Sequence, residues 1–380
     1  MPATVAVVAC STYDRAEVED AVSRAVDLLG GSERLFPAGG SVLVKPNLLG
    51  PRPRETRVAT DPEVVRAVVS VAKEIAGTVA YGDSPGIGSA ARAARAAGYD
   101  DIMIGQRDKN GGLAGPVEFT GPVAAPGISF PKVEIAREIA EADAVVNVAK
   151  AKTHGQMGMT LAVKNLFGAV VGTRKAAWHM RAGHDREHFA RMLVEVAAAS
   201  RARLHVLDAV IGMEGNGPGS GTPRPLGFIL ASEDAAALDR VACDILGVPA
   251  RAVPVLEAAR RLGFGETDTA RIDIVGDEPG RFGVRDFKPA TQVGLHRIVP
   301  MPRAVFRLLR RVLTARPVFD LEKCRGCGLC AEACPAKCLR MRGGVPVIDT
   351  EKCIRCLCCQ EACPHGAITV KSSWLARLLG

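Results

Sequence analysis

AVVNVAKAKTH, residues 144–154, opens as a run that is apolar apart from Asn147 and ends in Lys150, Lys152, Thr153 and His154. A short apolar run with a polar end reads as a strand buried in a sheet and emerging at its edge. The same form recurs on both sides of it. SVLVKPN (41–47) runs into Lys45 and Asn47, TVAYGDSPG (78–86) into Asp83, and RLHVLDAV (203–210) into Asp208, followed by MEGNGPGSG (213–221) with Glu214. TVAVVA (4–9), GFILAS (227–232) and RIDIVGD (271–277) read as further strands. Between them lie amphipathic stretches. One stops at Gly30-Gly31, and another starts at Asp61-Pro62, a capping residue followed by proline in the first turn. Strands alternating with helices predict an α/β domain over residues 1–290, with a largely parallel sheet flanked by helices.

In open parallel sheets, ligands bind beyond the carboxyl ends of the strands. Polar residues gathered at four strand exits therefore suggest one shared site. From Lys150 to His184 there is no acidic residue, while Lys150, Lys152, His154, Lys164, Asn165, Lys175 and His179 fall among glycines and aliphatics. Lysines without local counter-charge suit a bound carboxylate or phosphate. Gly155 and Gly158 would let backbone amides approach such an anion at a helix start. The expectation is an anion clamp of Lys150, Lys152 and Lys164, with His154 as proton donor; a hydrogen-bonded structural histidine is the competing reading. Asp208 and Glu214 suit a hard cation, or equally a turn cap and a flexible loop.

The C-terminal quarter carries a different chemistry. CRGCGLCAEACP (324–335) and CIRCLCCQEACP (353–364) are two copies of C-x2-C-x2-C-x3-C-P, the spacing of bacterial dicluster ferredoxins. Three thiolates on one tight loop cap three irons of a cube, and the cysteine before the proline serves the other cluster. Cys324, Cys327, Cys330 and Cys363 are thus expected to hold one [4Fe-4S] cluster, and Cys353, Cys356, Cys359 and Cys334 the second. Aligning the two copies sets Cys358 on Leu329 and Cys338 on Ala367, so these two cysteines occupy packing positions. Zinc ribbons use paired C-x2-C knuckles instead. The segment 320–371 reads as a small α+β ferredoxin-like dicluster domain. Residues 291–319 form a basic amphipathic linker helix, and 372–380 a short amphipathic tail.

At KPN, YGDSPG, KAKTH, LAVKNLFG and MEGNGPGSGTPRPLGFILASED, the chain resembles the domain of unknown function 362 family, many members of which carry a ferredoxin-like tail. The resemblance implies a polar site at Lys45, Asn47, Asp83, Lys150, Lys152, His154, Lys164, Asn165, Asp208 and Glu214. It implies no particular substrate.

Composition narrows the partners. The net charge is +8, from 49 basic and 41 acidic residues, with six arginines in RIVPMPRAVFRLLRRVLTARP (297–317). Aromatic residues make up only 4%, which leaves few stacking platforms and argues against nucleic acid. Cysteine usage and the absence of a signal-peptide pattern point to a reducing cytoplasm. No uncharged apolar run reaches the roughly 18 residues of a membrane span. The basic linker is expected to pack on the protein rather than on a membrane surface. The reading is a redox enzyme with an electron donor or acceptor protein as partner and an anionic small molecule as substrate. The alternatives are a non-enzymatic electron carrier or redox-sensing adaptor, and a ligase or maturation factor with structural clusters. Anaerobically purified protein is expected to carry about eight irons and about eight acid-labile sulfides per chain, measured by iron and sulfide analysis.

Overall fold

A computed structural model of the chain describes residues 2–100, 116–172, 174–284, 286–290 and 315–371. The N-terminal domain is built on β1 (Ala3–Ala9), β2 (Ser41–Lys45), β3 (Thr78–Asp83), β4 (Pro116–Glu118), a side hairpin of β5 (Pro122–Ala125) and β6 (Val133–Ala136), β7 (Ala144–His154), β8 (Gly158–Thr160), β9 (Leu204–Glu214), β10 (Thr222–Ser232) and β11 (Ile272–Gly276). The main sheet runs in the order β11-β1-β10-β9-β7-β2-β3-β4, with β8 folded back on β7. β10 is antiparallel to β1 and β9, and β8 to β7, while the other pairings are parallel. The fold is therefore α/β with a mostly parallel sheet.

Alternation along the strands explains the layers. Val5, Val7, Val145 and Ala149 enter one core, with the helices Arg186–Ser200, Ala235–Ile245 and Pro254–Leu262. Ala6, Val8, Val146 and Val148 enter the other, with Arg15–Leu28, Pro62–Lys73 and Ala90–Ala96. A strand covered on both faces must be apolar on both, which is why these runs lack a polar stripe. The Asp61 side chain accepts from Glu63 N at 3.1 Å and Pro62 takes the first helical position, as their order in the sequence suggests.

β10, which contains the strand read from GFILAS, runs antiparallel to both of its neighbours. It leaves β9 through a short loop, with Thr222 registered on Glu214, and a tight reversal can only give an antiparallel partner. Its entry, not its exit, therefore lies at the polar edge.

The C-terminal module pairs β12 (Arg316–Phe319) with β15 (Ile368–Lys371), and β13 (Leu339–Arg342) with β14 (Val345–Ile348). Its short helices are Leu329–Glu332 and Cys358–Ala362. β12 begins ahead of the boundary at Asp320, so the last residues assigned to the linker belong to the module. The rest of the expected linker helix, 291–314, and the tail, 372–380, lie outside the described residues. The duplication is visible in the backbone. Gly326 and Gly328 have φ of 65° and 78°, and their aligned residues Arg355 and Leu357 have 56° and 63°.

Candidate functional site

β9, β7, β2 and β3 are neighbours, so the four polar exits read from the sequence form one continuous edge. β7 and β9 run on past the end of β2 and carry Lys150–His154 and Asp208–Glu214 beyond it.

The register pairs Lys150 with Asp208, and Lys150 Nζ donates to Asp208 Oδ2 at 2.8 Å and to Tyr13 Oη at 2.6 Å. Lys45 Nζ lies 2.8 Å from Asp83 Oδ1. All four side chains are buried. These lysines are thus ion-paired inside the protein and do not form the open clamp expected from a segment without acids. Their counter-charges come from other strands, which the local composition could not show. Gly168 explains the close fit around Lys45, because a Cβ there would lie 2.1 Å from Asp83 Oδ1 and 2.5 Å from Lys45 Nζ.

Among the described residues Lys152 has no carboxylate within ion-pair distance. Its Nζ donates to Asn47 Oδ1 and to Val58 O, both at 2.7 Å. Burial, reinforced by Lys164, pushes it down to about 7. A neutral amine keeps two N–H donors for these two acceptors, so Lys152 can gain or lose a proton at neutral pH without giving up either bond. Lys175, held by Ser84 O at 2.8 Å and by Val170 O, is likewise pushed by burial down to about 7. Asn165 links Asn47 to Asn147, with bonds of 2.7 Å on each side.

His154 is not the proton donor expected. Its Nδ1 accepts from Gln156 N at 3.0 Å and Met157 N at 3.2 Å, which leaves the proton on Nε2. Burial holds it down at about 4, so it is neutral at pH 7. The glycines after it serve the β7–β8 turn rather than a helix start. The next helix, Ala162–Asn165, has its first amides taken by Asp239, at 2.6 Å and 3.1 Å. Glu214 Oε2 accepts from Lys288 N at 3.1 Å. With Asp208 committed to Lys150, the two carboxylates make no shared cation site.

The C-terminal module sits directly on this edge. Arg52 Nη2 donates to Glu361 O and Ala362 O, both at 3.1 Å, and Gln360 Nε2 to Asn216 O at 2.8 Å. Asn216 Nδ2 donates to Ile368 O at 3.1 Å, and Ser220 Oγ to Cys363 O at 3.3 Å. The backbones approach closely here: a Cβ on Gly219 would lie 2.8 Å from Glu361 O. Glu361 reaches into the strand-end cluster, with Oε1 3.0 Å from His154 Nε2. Burial alone would raise Glu361, but His154 and Lys164 hold it at about 2. At neutral pH His154 is uncharged, so Lys164 is the cation facing this carboxylate.

Glu361 is the residue that sequence reasoning missed. Its aligned copy, Glu332, is exposed, so the repeat marks the position as surface. The available signal was Gln360, a polar residue where the first copy has Ala331.

Within the module, one cavity is lined by Cys324, Cys327, Cys330 and Cys363, and a second by Cys334, Cys353, Cys356 and Cys359. Each gathers three cysteines from one run and one from the other, and this donor set fits a four-iron cluster. Ala367 lines the first cavity and Cys338 the second, with Cys338 Sγ 3.5 Å from Cys334 Sγ, as the alignment of the copies implies. Cys358 instead turns toward the N-terminal domain, where a ring nitrogen of His179, the Cys356 sulfur and its own sulfur lie within 4.8 Å of one another.

Two outcomes test this geometry. Asp208→Asn should lower stability by about 3–5 kcal/mol, because it strands Lys150 without a counter-charge. Lys164→Met should cost less, since it removes the cation facing Glu361 but breaks no hydrogen bond or close ion pair among the described residues; urea midpoints compare the two. Burial also pushes His205 down to about 3, and His154 and His179 to about 4. Unfolded histidine titrates near 6.5, so the unfolded chain binds more protons between these values. The histidine contribution to stability should therefore rise with pH from about 4 to about 6.5 and level off above, while Lys152 and Lys175, pushed down to about 7, add a further rise at alkaline pH. His205→Gln should flatten that slope in urea melts across the window.

Two family models match the chain. A family described as domain of unknown function (DUF362) matches residues 42–244, and a 4Fe-4S dicluster domain matches 316–364. The chain is 40% identical over 270 residues to thylakoid-associated protein sll1697 of Synechocystis sp., spanning 70% of this chain and 82% of the relative. The lactate racemase apoprotein of Thermoanaerobacterium thermosaccharolyticum aligns at a TM-score of 0.40 and 12% identity, over 65% of this chain and 57% of the racemase. A likeness that loose transfers no residue roles. No helix among the described residues is long and apolar enough to cross a membrane. The chain belongs to the DUF362 family and joins that domain to a C-terminal 4Fe-4S dicluster domain.

Proposed function

We propose that the protein is an iron–sulfur redox enzyme acting on an anionic small molecule or bound cofactor at the strand-end site. Two [4Fe-4S] clusters are assigned, one to Cys324, Cys327, Cys330 and Cys363, the other to Cys353, Cys356, Cys359 and Cys334. When bound, such clusters supply electrons one at a time. The observation that carries the reading is the docking of the Cys358–Ala362 helix on the strand ends, which sets the second cysteine run against Lys164, His154 and His179. Lys152 is the residue suited to move the proton that accompanies electron transfer, since its protonation changes near pH 7. Lys164 supplies the charge that attracts the anion, and Glu361 occupies the position of the incoming carboxylate. The docked module excludes water from these groups, which strengthens their mutual electrostatics. The expected partner is a protein electron donor or acceptor, and the expected compartment the cytoplasm. The name of the Synechocystis relative makes anionic liposomes a necessary control; co-sedimentation at physiological salt would replace the cytoplasm with a membrane surface.

A second reading, an electron carrier or redox-sensing adaptor, is favoured by the internal pairing of Lys45 and Lys150. Anaerobic reduced protein, mixed in turn with short carboxylates, phosphates and nucleotides and followed by cluster absorbance, separates the two. The enzyme reading expects one class to reoxidise the protein at least about tenfold faster than buffer. Lys152→Met should slow that step with its iron content unchanged, and Glu361→Gln should tighten binding of the same anion. Reoxidation by small redox proteins alone would establish the carrier. A redox-inert chain with full iron would indicate structural clusters.

A further inference from the structure

His179 has the chemistry of a ligand without a ligand's partner. It lies in the helix Arg174–Ala182 and is buried, and its Nδ1 has no hydrogen-bond partner among the described residues. Buried ring nitrogens are ordinarily satisfied, so an orphan calls for a reason. The ring is fixed in place, stacked on Phe189 at 4.4 Å between centroids and met edge-on by Phe167 at 5.9 Å. Within 4.8 Å of one another lie a ring nitrogen of His179 and the sulfurs of Cys356 and Cys358. Cluster geometry does not call for Cys358, because the first run forms its loop with Leu329 at that place.

We propose that His179, Cys358 and Cys356 form a separate site for a thiophilic divalent ion of the zinc or ferrous class, joined to the second cluster through the shared sulfur of Cys356. Two sulfurs and an imidazole select such ions over magnesium or calcium, which take oxygen ligands. On binding, Cys358 loses its thiol proton to solvent and Cys356 donates a second lone pair while keeping its bond to the cluster. The ion and the new thiolate together add one positive charge. Glu361, which faces both His179 and Cys358, offsets it, whereas Lys164 opposes it. Three protein ligands leave a fourth position on a tetrahedral ion, the arrangement of metal sites that bind water or substrate. This site stands whether or not the strand-end substrate reading is correct, since it requires only cluster ligation at Cys356.

The test uses anaerobic holoprotein with its full iron, stripped of loose metal by a mild chelator and given one equivalent of Zn2+. Zinc-edge X-ray absorption, to which iron does not contribute, is expected to show two sulfurs at about 2.3 Å and one imidazole nitrogen at about 2.0–2.1 Å. Cys358→Ser and His179→Gln should each bind Zn2+ roughly a hundredfold more weakly, with iron and sulfide unchanged. Failure of the wild type to retain zinc, or a shell of oxygen and nitrogen only, would overturn the proposal. So would equal retention by wild type and both variants. If either variant sheds iron, the wild-type absorption spectrum decides alone.

Discussion

An ammonium group removed from water must meet a carboxylate, and this requirement organises the polar edge of the sheet. Lys45 and Lys150 are buried beneath the strand ends, where an unpaired charge would be untenable. Strand order and register meet the need: β9 brings Asp208 beside Lys150, and β3 brings Asp83 to Lys45. Each carboxylate also takes backbone amides. Asp208 accepts from Asp61 N and Asp83 from Leu48 N, both at 2.8 Å. The loops after β2 are thereby tied to the same charges that neutralise the lysines. A polar floor of paired charges results, and the remaining polar groups of the site lie above it.

Those groups are Lys152, Lys164, Lys175, His154 and His179, and the C-terminal module closes over them. Its contacts with the large domain are largely bonds to main-chain oxygens, made by Arg52, Gln360, Asn216 and Ser220. Contacts of that kind fix position more than they depend on the identity of the neighbouring side chain. Glu361 differs because its side chain enters the cationic cluster. The module therefore both carries the cysteines and completes the charge balance of the site beneath them.

Much of this was legible in the sequence, and the limits follow from physical causes. Strands such as Ala144–His154 announce themselves because burial on both faces demands apolar residues along the first part of the run, where Asn147 is the one polar exception. The cysteine spacing is legible because loop reach dictates it. What was hidden was long-range pairing. The stretch after Lys150 contains no acid, yet Asp83, Asp208 and Glu361 approach from three other segments. The direction of β10 was hidden for a similar reason, since it depends on a hairpin with β9 rather than on its own residues. His154 looked like a titrating group because its burial, and the two amides on its Nδ1, are properties of the folded turn.

The duplicated module also bears on its own history. A left-handed backbone suits glycine, and for other residues it costs about 1–2 kcal/mol. At two places the first copy has glycine and the second has Arg355 and Leu357; at a third the exchange reverses, with Lys337 opposite Gly366. Leu357 packs against Ala315 with Val370 alongside, a contact glycine could not make. The two halves have thus traded conformational ease for side-chain contacts at different points, and they are no longer interchangeable. A chimera built from two first copies would keep the cysteine loops and the relaxed turns. It would lose the Leu357 contact inside the module and, with alanine in place of Gln360, that side chain's bonds to Asn216 of the large domain.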